Sequence, residues 1–284
     1  MAIEATPAAA GIALANWNWK GVCMFIQQRF GRLLCRSSCL NYLHRLGFVL
    51  KRPKKRLLKA DAAQRETFVA SYARLRSEAA TTGSKLFFVD EAHFRADVEL
   101  RAKWVQRGQA ALADSTSPRL GEKISYYSGI CLETGEVEVM AVHENCTAAT
   151  SVAFLQQLRG KQSAPLIVIW DNSPVHRGLE MRAYLAKPDL KLRLVALPAY
   201  SPDFNADEAI WGWAREEVTA NVCFGTAARV REQLEPFFGG LAERTAEVQR
   251  RCRTILQAQA DVLMATANQL NVQTNHVDFT LASV

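Results

Sequence analysis

The feature that most constrains the fold is an apolar run that ends abruptly at an acid. Residues 166–170 read LIVIW and continue directly into the sequence DNSP. A continuous apolar run of this length, ended by turn-forming residues, is typical of a β-strand that is covered on both faces. A carboxylate at the tip of such a strand is costly unless it is hydrogen-bonded, paired or bound to a cation. Asp171 therefore needs a partner from elsewhere in the chain.

The rest of the body predicts a sheet with helices packed against it. Strand-like runs are grouped first and then alternate with helical segments, which favours an α/β fold with a mixed sheet flanked by helices. A helical connector is predicted at 61–80, and the segment 226–270 is helical and amphipathic. The strands are expected at 85–90, 124–132, 136–144, 165–171 and 191–198, and the other helices at 150–160, 176–187 and 205–220.

The first fifth of the chain differs from the rest in charge, because it contains all of the excess of lysine and arginine over aspartate and glutamate. Residues 1–60 contain eleven lysines and arginines and one acid, Glu4. Two short helices, broken at Gly31 and ending at Gly47, predict a helix-turn-helix with Ser37 or Ser38 as the cap of the second helix. A basic strip follows, so the segment is expected to bind a polyanion; a solvated basic linker is the alternative. The expected DNA contacts are Asn41, His44 and Arg45 on the second helix and Lys51, Arg52, Lys54, Lys55 and Arg56 in the strip.

Cysteine usage and hydropathy narrow the cellular setting. The seven cysteines are scattered and form no C-x-x-C pair, which favours reduced thiols in a cytosol over a disulfide framework or a zinc site. No apolar run is long enough to span a bilayer, and the first fifteen residues lack the basic start of a signal peptide. These observations predict a cytoplasmic protein.

Two acids close two apolar runs in the same way. Asp90 ends KLFFVD as Asp171 ends PLIVIWD, and such strand ends are where ligand-binding groups gather in sheets of this kind. Neither acid has a basic neighbour in sequence. Two converging carboxylates without a basic partner indicate a divalent cation, and hard oxygen ligands suit Mg²⁺ or Mn²⁺.

A third acid is expected on a helix beside these strand ends. The segment LPAYSPDFNADEAIWGW offers Asp203, Asp207 and Glu208. Asn205 is a suitable N-cap, which would put Glu208 at the third helical position; an ordinary capping box is therefore the alternative explanation of Glu208.

Three blocks of the sequence resemble a known family. FFVDEAHFRAD, VIWDNSPVHRG and LPAYSPDFNADEAIWGW occur in this order, and 36 residues separate Asp171 from Glu208. Together they resemble the signature blocks of mariner-type DDE transposases carried by bacterial insertion sequences. WVQRGQ and TGEV, between the first two blocks, are also similar to short motifs of that family.

The resemblance implies a ribonuclease-H-like catalytic domain preceded by a helix-turn-helix, or winged-helix-like, segment. It implies that Asp90, Asp171 and Glu208 bind two divalent ions, Mg²⁺ or Mn²⁺, with Glu91, Asn172 and His176 in supporting positions. The implied partner is double-stranded DNA, namely transposon terminal inverted repeats and a target cut at TA, handled by a homodimer. The expected boundaries are an N-terminal tail at 1–15, the helix-turn-helix at 16–50, a linker and connector helix at 51–80, the catalytic domain at 81–225 and C-terminal helices at 226–284.

The chain also departs from this family. Relatives commonly carry proline and an aliphatic residue where this sequence has Ala206 and Asp207, so Asp207 is an alternative ligand to Glu208. Relatives usually have two helix-turn-helix units, whereas this chain has room for one, which predicts an N-terminally truncated member. The alternatives are a decayed or repurposed transposase that binds DNA without catalysis, and a ribonuclease-H-like nuclease that acts on RNA–DNA hybrids.

Overall fold

The computed structural model describes residues 2–51, 60–116, 121–143, 145–173, 176 and 178–280. Contacts divide the chain into two compact units, residues 1–56 and residues 57–284. No helix in the described ranges is long and apolar enough to cross a bilayer.

The first unit contains two helices, α1 (Trp19–Phe30) and α2 (Arg36–Arg45). Asn18 caps α1 by accepting a hydrogen bond from the backbone N–H of Gly21 (3.0 Å), and Gly31 ends the helix with φ 63°. The small apolar core of the unit centres on Val22, Cys23 and Cys39. The predicted serine cap of α2 is wrong, because the helix already begins at Arg36 and Cys35 takes the N-cap position without a side-chain cap bond.

The second unit is built on one mixed sheet. Within the described ranges its strand order is β3-β2-β1-β4-β5. The β1–β2 and β2–β3 pairs are antiparallel, whereas β1–β4 and β4–β5 are parallel. This combination is that of a ribonuclease-H-like sheet, as predicted. The strands are β1 (Lys85–Arg95), β2 (Lys123–Cys131), β3 (Glu136–Val142), β4 (Leu166–Trp170) and β5 (Leu192–Ala196).

Helices cover both faces of this sheet. α4 (Ala148–Lys161) and α5 (Leu179–Leu185) pack on one face, where Phe154, Leu158 and Met181 join the core. The other face is covered by α3 (Ala62–Thr82), α6 (Asp207–Ala214), a π-helical turn (Arg215–Thr219), α7 (Ala227–Gly239), α8 (Thr245–Arg251) and α9 (Ile255–Thr280). Because β4 lies between the two layers, all five of its residues are buried, which explains the unbroken apolar run.

The first strand is longer than predicted. It was expected to end at Asp90, yet β1 continues to Arg95. Its parallel partner β4 pairs only with residues 85–88, whereas β2 pairs with β1 as far as Arg95. Asp90 therefore lies inside a strand, just beyond the last parallel pair, because the antiparallel hairpin extends the strand past the point where β4 stops. The other predicted strands lie within two residues of those observed.

Candidate active site

The strand register brings the two aspartates together. Lys85 pairs with Leu166 and Phe88 with Ile169, and continuing this register places Asp90 opposite Asp171. Side chains alternate between the faces of a strand. Because Phe88 and Ile169 belong to the core on the α6 side, Asp90 and Asp171 are directed to the same side.

Glu208 approaches from the start of α6. The turn before this helix is tied to the sheet, since the amide of Asn205 donates to the backbone carbonyl of Val89 (3.3 Å), the residue before Asp90. The prediction that Asn205 is the N-cap is wrong: Ala206 occupies that position, so Glu208 is the second helical residue and is not part of a capping box. Glu208 is exposed, whereas the Asn205 side chain is used to anchor the turn.

A cleft of about 440 Å³ is lined by Asp90, Asp171 and Glu208 together with the loop 197–202. Among the described residues that line it there is no lysine, arginine or histidine. Burial, followed by the nearby carboxylates of Glu208 and Asp171, raises the pKa of Asp90 to about 7. The cleft therefore concentrates negative charge that its own lining residues do not neutralise.

Asp90 is held by the side chain of a tryptophan on α6. The indole Nε1 of Trp211 donates to Oδ2 of Asp90 (3.3 Å), and Trp211 is itself buried. The only sequence signal for this contact is that Trp211 stands three residues after Glu208, on the same face of α6. One helix thus supplies one acid of the cleft and positions another.

A second group of side chains supports Asp171 from the opposite face of the sheet. Nε2 of His176 lies 3.1 Å from Oδ1 of Asp171 and 3.3 Å from Oε1 of Glu91. Its ring stacks on Trp170 at 4.0 Å, and the indole of Trp170 donates to Glu91 (3.3 Å). Burial, then the charge of Asp90, raises the pKa of Glu91 to about 8. Asn172 lines the cleft beside Asp171.

Asp207 is directed into the protein core. It is fully buried and accepts a hydrogen bond from the hydroxyl of Ser128, which pairs with Asp90 in the β1–β2 register. Its pKa is raised well above the usual range, first by burial and then by Asp90. Asp207 is not among the residues lining the cleft, so Glu208, and not Asp207, is the acid that α6 presents there. Sequence reasoning missed Ser128, because only the strand register reveals it.

Two known protein families match different parts of the chain, residues 85–231 and residues 15–72. Residues 85–231, which hold all three acids of the cleft, match the family described as DDE superfamily endonuclease. The chain belongs to this family. Residues 15–72 of this DDE endonuclease match the family described as winged helix-turn-helix.

Similar proteins support the assignment. The DDE endonuclease is 25% identical over 248 residues to the "Insertion element IS630 uncharacterized 39 kDa protein" of Shigella sonnei, across 84% of this chain and 70% of the relative. The crystal structure of the Mos1 strand transfer complex has a TM-score of 0.57 at 15% identity, covering 86% of this chain and 78% of that one. The Mos1 mariner paired-end complex with Mg has a TM-score of 0.58 at 16% identity, covering 86% and 79%. At these identities the two structures show that the fold is shared.

The cleft of the DDE endonuclease fits a divalent metal ion by its chemistry. Its three carboxylates offer hard oxygen ligands, which Mg²⁺ and Mn²⁺ prefer, and the described residues that line the cleft include no lysine, arginine or histidine. In the described part of the chain, however, no group of three or more His, Cys, Asp or Glu side chains is arranged to hold an ion as it stands. Burial, and then repulsion by the neighbouring carboxylates, raises the pKa of Asp90. A bound cation would remove this repulsion, so the chemistry of the donor set fits a divalent metal ion.

The predicted DNA-contacting residues fall in the first unit. Asn41, His44 and Arg45 are exposed at three- and four-residue spacing on α2, and Lys51 is exposed after it. Arg52, Lys54, Lys55 and Arg56 lie outside the described residues. The described part of the unit therefore offers one polar helix face for contact with a ligand.

Proposed function

We propose that this DDE endonuclease is the transposase of a bacterial insertion sequence, which cleaves DNA at the transposon ends and joins those ends to target DNA. The observation that carries the proposal is the cleft in which β1, the end of β4 and α6 each contribute one acid. The relative from an insertion element and the fold shared with the Mos1 complexes support the same activity.

In this proposal Asp90, Asp171 and Glu208 hold two Mg²⁺ or Mn²⁺ ions. The chemistry that two ions bound there would supply is activation of a water or a DNA 3′-hydroxyl and stabilisation of the leaving oxygen in an in-line displacement at phosphorus. The protein's part is to fix the acids: Trp211 orients Asp90, and the Asn205–Val89 bond sets the position of the α6 N-terminus. Cleavage and joining are then the same displacement with different nucleophiles.

An orienting role falls to three further residues, Glu91, Asn172 and His176. His176 bridges Asp171 and Glu91, and its stacking on Trp170 fixes the ring, so Asp171 keeps one oxygen toward the histidine and turns the other to the cleft. Asn172 is placed to meet a phosphate oxygen or to steady Asp171.

The DNA partners follow from the same activity. We infer that the protein acts at the bacterial nucleoid, that α2 reads terminal inverted repeats through Asn41, His44 and Arg45, and that the basic strip from Lys51 to Arg56 contacts phosphates. Joining two ends requires their synapsis, which a homodimer would provide. A TA target is expected because this step is easily deformed, which lowers the cost of bending the DNA into the cleft.

A plasmid nicking assay with Mg²⁺ or Mn²⁺ tests the proposal. Wild type should nick supercoiled DNA only with metal, and Asp171→Asn should lose this activity. Asp189→Asn is a matched control, because Asp189 is exposed outside the cleft and its φ of 61° suits asparagine equally well.

The outcomes separate the alternatives. Equal nicking by wild type and Asp171→Asn would refute the catalytic assignment. DNA binding without any nicking by wild type would identify a non-catalytic DNA-binding protein. Preferred cleavage of an RNA–DNA hybrid offered in competition would identify a ribonuclease unrelated to transposition.

A further inference from the structure

Two positive charges face each other at the end of the β1–β2 hairpin. Arg95 and Lys123 form the last pair of this antiparallel ladder. Directly opposed residues in such a pair have Cβ atoms about 4.5–5.5 Å apart, and like charges there are destabilising. In the ranges that the structure describes, no acid lies within ion-pair distance of either side chain. The free protein thus keeps a repulsive pair that a bound anion would relieve.

The surroundings do not cancel this charge. Arg95 lines a cavity of about 560 Å³ that also contains Asp97 and Glu99. Glu99 is already bound by Arg101 (2.7 Å) and by Arg215 (3.3 Å). Asp97 keeps its negative charge but is held by neutral donors, the hydroxyl of Ser115 (2.8 Å) and the backbone N–H of Thr116 (3.1 Å), and it forms no ion pair with Arg95 or Lys123.

The pKa of His93 is affected by the positive charges around it. It lines the same cavity, and its Nδ1 lies 2.8 Å from the hydroxyl of Ser125. Its pKa is lowered first by burial and then by the positive charges of Lys123 and Arg215. The imidazole therefore favours its neutral form and adds a hydrogen-bonding group beside the two cations without adding charge.

The cavity is coupled to the active-site cleft by a single strand. Asp90 and Arg95 both belong to β1, five residues apart. At about 3.3 Å per residue they are separated by roughly 17 Å along the strand. B-DNA rises about 3.4 Å per base pair, so this distance corresponds to roughly five base pairs. Being five positions apart, Asp90 and Arg95 leave opposite faces of β1, so a duplex reaches both only by lying along the edge of β1 that β4 leaves open beyond Phe88. Lys123, the partner of Arg95 on β2, leaves the same face as Arg95.

We propose that Arg95 and Lys123 bind a backbone phosphate of the substrate DNA, roughly five base pairs from the phosphate that reacts in the cleft. The inference rests on the proposed function, because its ligand is the DNA of that reaction. The contact positions the duplex and carries no sequence information, since phosphates are the same at every step.

The salt dependence of DNA binding tests this contact in the full-length protein. Binding of a fluorescein-labelled duplex of arbitrary sequence is measured in EDTA, so that the DNA stays intact. Loss of one phosphate contact should reduce the slope of log affinity against log salt by about 0.9. We expect this reduction for Arg95→Gln and for Lys123→Gln. Arg74→Gln is the control, because it removes the same charge from an exposed position on α3 where the structure describes no acid partner.

Stability and chemical protection give independent readouts. Because Lys123→Gln removes a repulsion, its melting temperature should not fall below that of wild type even though its affinity for DNA does. In wild type, the duplex should protect Lys123 from acylation, read by mass spectrometry, while the exposed Lys187, just after the end of α5, stays reactive. Unchanged salt slopes, or equal acylation of Lys123 with and without DNA, would overturn the inference.

These results can be told apart from a failure of the proposed function. Metal-dependent nicking by a wild-type protein whose Lys123 is not protected refutes only the phosphate site. Protection of Lys123 in a protein that never nicks DNA upholds the phosphate contact and refutes the catalytic proposal.

Discussion

Replacing Asp90 by asparagine should stabilise the metal-free protein at pH 8. Burial and the carboxylates of Glu208 and Asp171 raise the pKa of Asp90 from 3.8 to about 7. A carboxyl group whose pKa is higher in the folded state binds its proton more tightly there than in the unfolded chain. Its contribution to stability is therefore fully present below pH about 4 and is lost as the pH rises through about 7. Asparagine has the same shape, cannot ionise and avoids this loss.

The size of this stabilisation follows from the shift in the pKa of Asp90. About three pH units at about 1.36 kcal/mol each give an upper limit near 4 kcal/mol at pH 8. Water entering the open cleft and movement of the acidic side chains will reduce this, so we expect a gain of about 1–3 kcal/mol in unfolding free energy. For a unit of this size, each kcal/mol raises the melting temperature by about 2–4 °C, which gives a rise of about 2–12 °C.

Thermal unfolding in EDTA between pH 5 and pH 8 measures the effect, with Asp189→Asn as the control. The advantage of Asp90→Asn should grow with pH, because most of the penalty on wild type accrues between pH 5 and pH 7. Adding Mg²⁺ should raise the melting temperature of wild type more at pH 8 than at pH 6, since the ion binds the ionised carboxylates, and should have little effect on Asp90→Asn. If Asp90→Asn melts at or below wild type at pH 8 in EDTA, the cleft does not hold an uncompensated carboxylate and the reasoning fails.

Two further predictions concern stability. Asp207→Asn should change the unfolding free energy by less than about 1 kcal/mol, because Asp207 is buried with a raised pKa and asparagine keeps an acceptor for the hydroxyl of Ser128. Ser128→Val should cost about 1–3 kcal/mol, because it removes the donor of that hydrogen bond. Urea unfolding compares the two variants, and equal effects would contradict the hydrogen-bond argument. Gly135→Ala should be more destabilising than Gly83→Ala, by about 1 kcal/mol or more in the same assay. Both glycines have positive φ, but a Cβ added at position 135 would meet the backbone carbonyl of Thr245, whereas one added at position 83 would meet nothing within 4 Å. Similar losses for the two variants would show that the close approach to Thr245 is not rigid.

Local sequence patterns were sufficient for most of the elements. The strand at 166–170 could be predicted because burial on both faces leaves a run with no polar interruption. The connector helix was equally well defined by its ends, since Asp61 caps it and Gly83, with φ 65°, closes it. These signals act within a few residues of the chain, so no tertiary information was needed to read them.

The position of Asp90 in the middle of its strand could not be predicted from such local patterns. A polar residue after an apolar run looks like a strand end, but β2 continues to pair with β1 as far as Arg95. The segment before α6 shows the same limit. Oδ1 of Asn205 accepts from the backbone N–H of Asp207 (3.3 Å) much as a cap would, but its amide also donates to the distant carbonyl of Val89, and the N-cap position falls to Ala206. In both cases a partner far along the chain helps to set where the element lies.

The sequence by itself determined the types of the elements, their order and the three acids that line the cleft. Only the tertiary structure decided which acid on α6 enters the cleft, since Asp207 and Glu208 differ by one step of about 100° around the helix. That step turns one carboxyl group toward Ser128 in the core and the other into the open cleft. The tertiary structure also decided that Arg95 and Lys123 stand opposite each other, because strand register depends on pairing across the sheet and no local pattern encodes it.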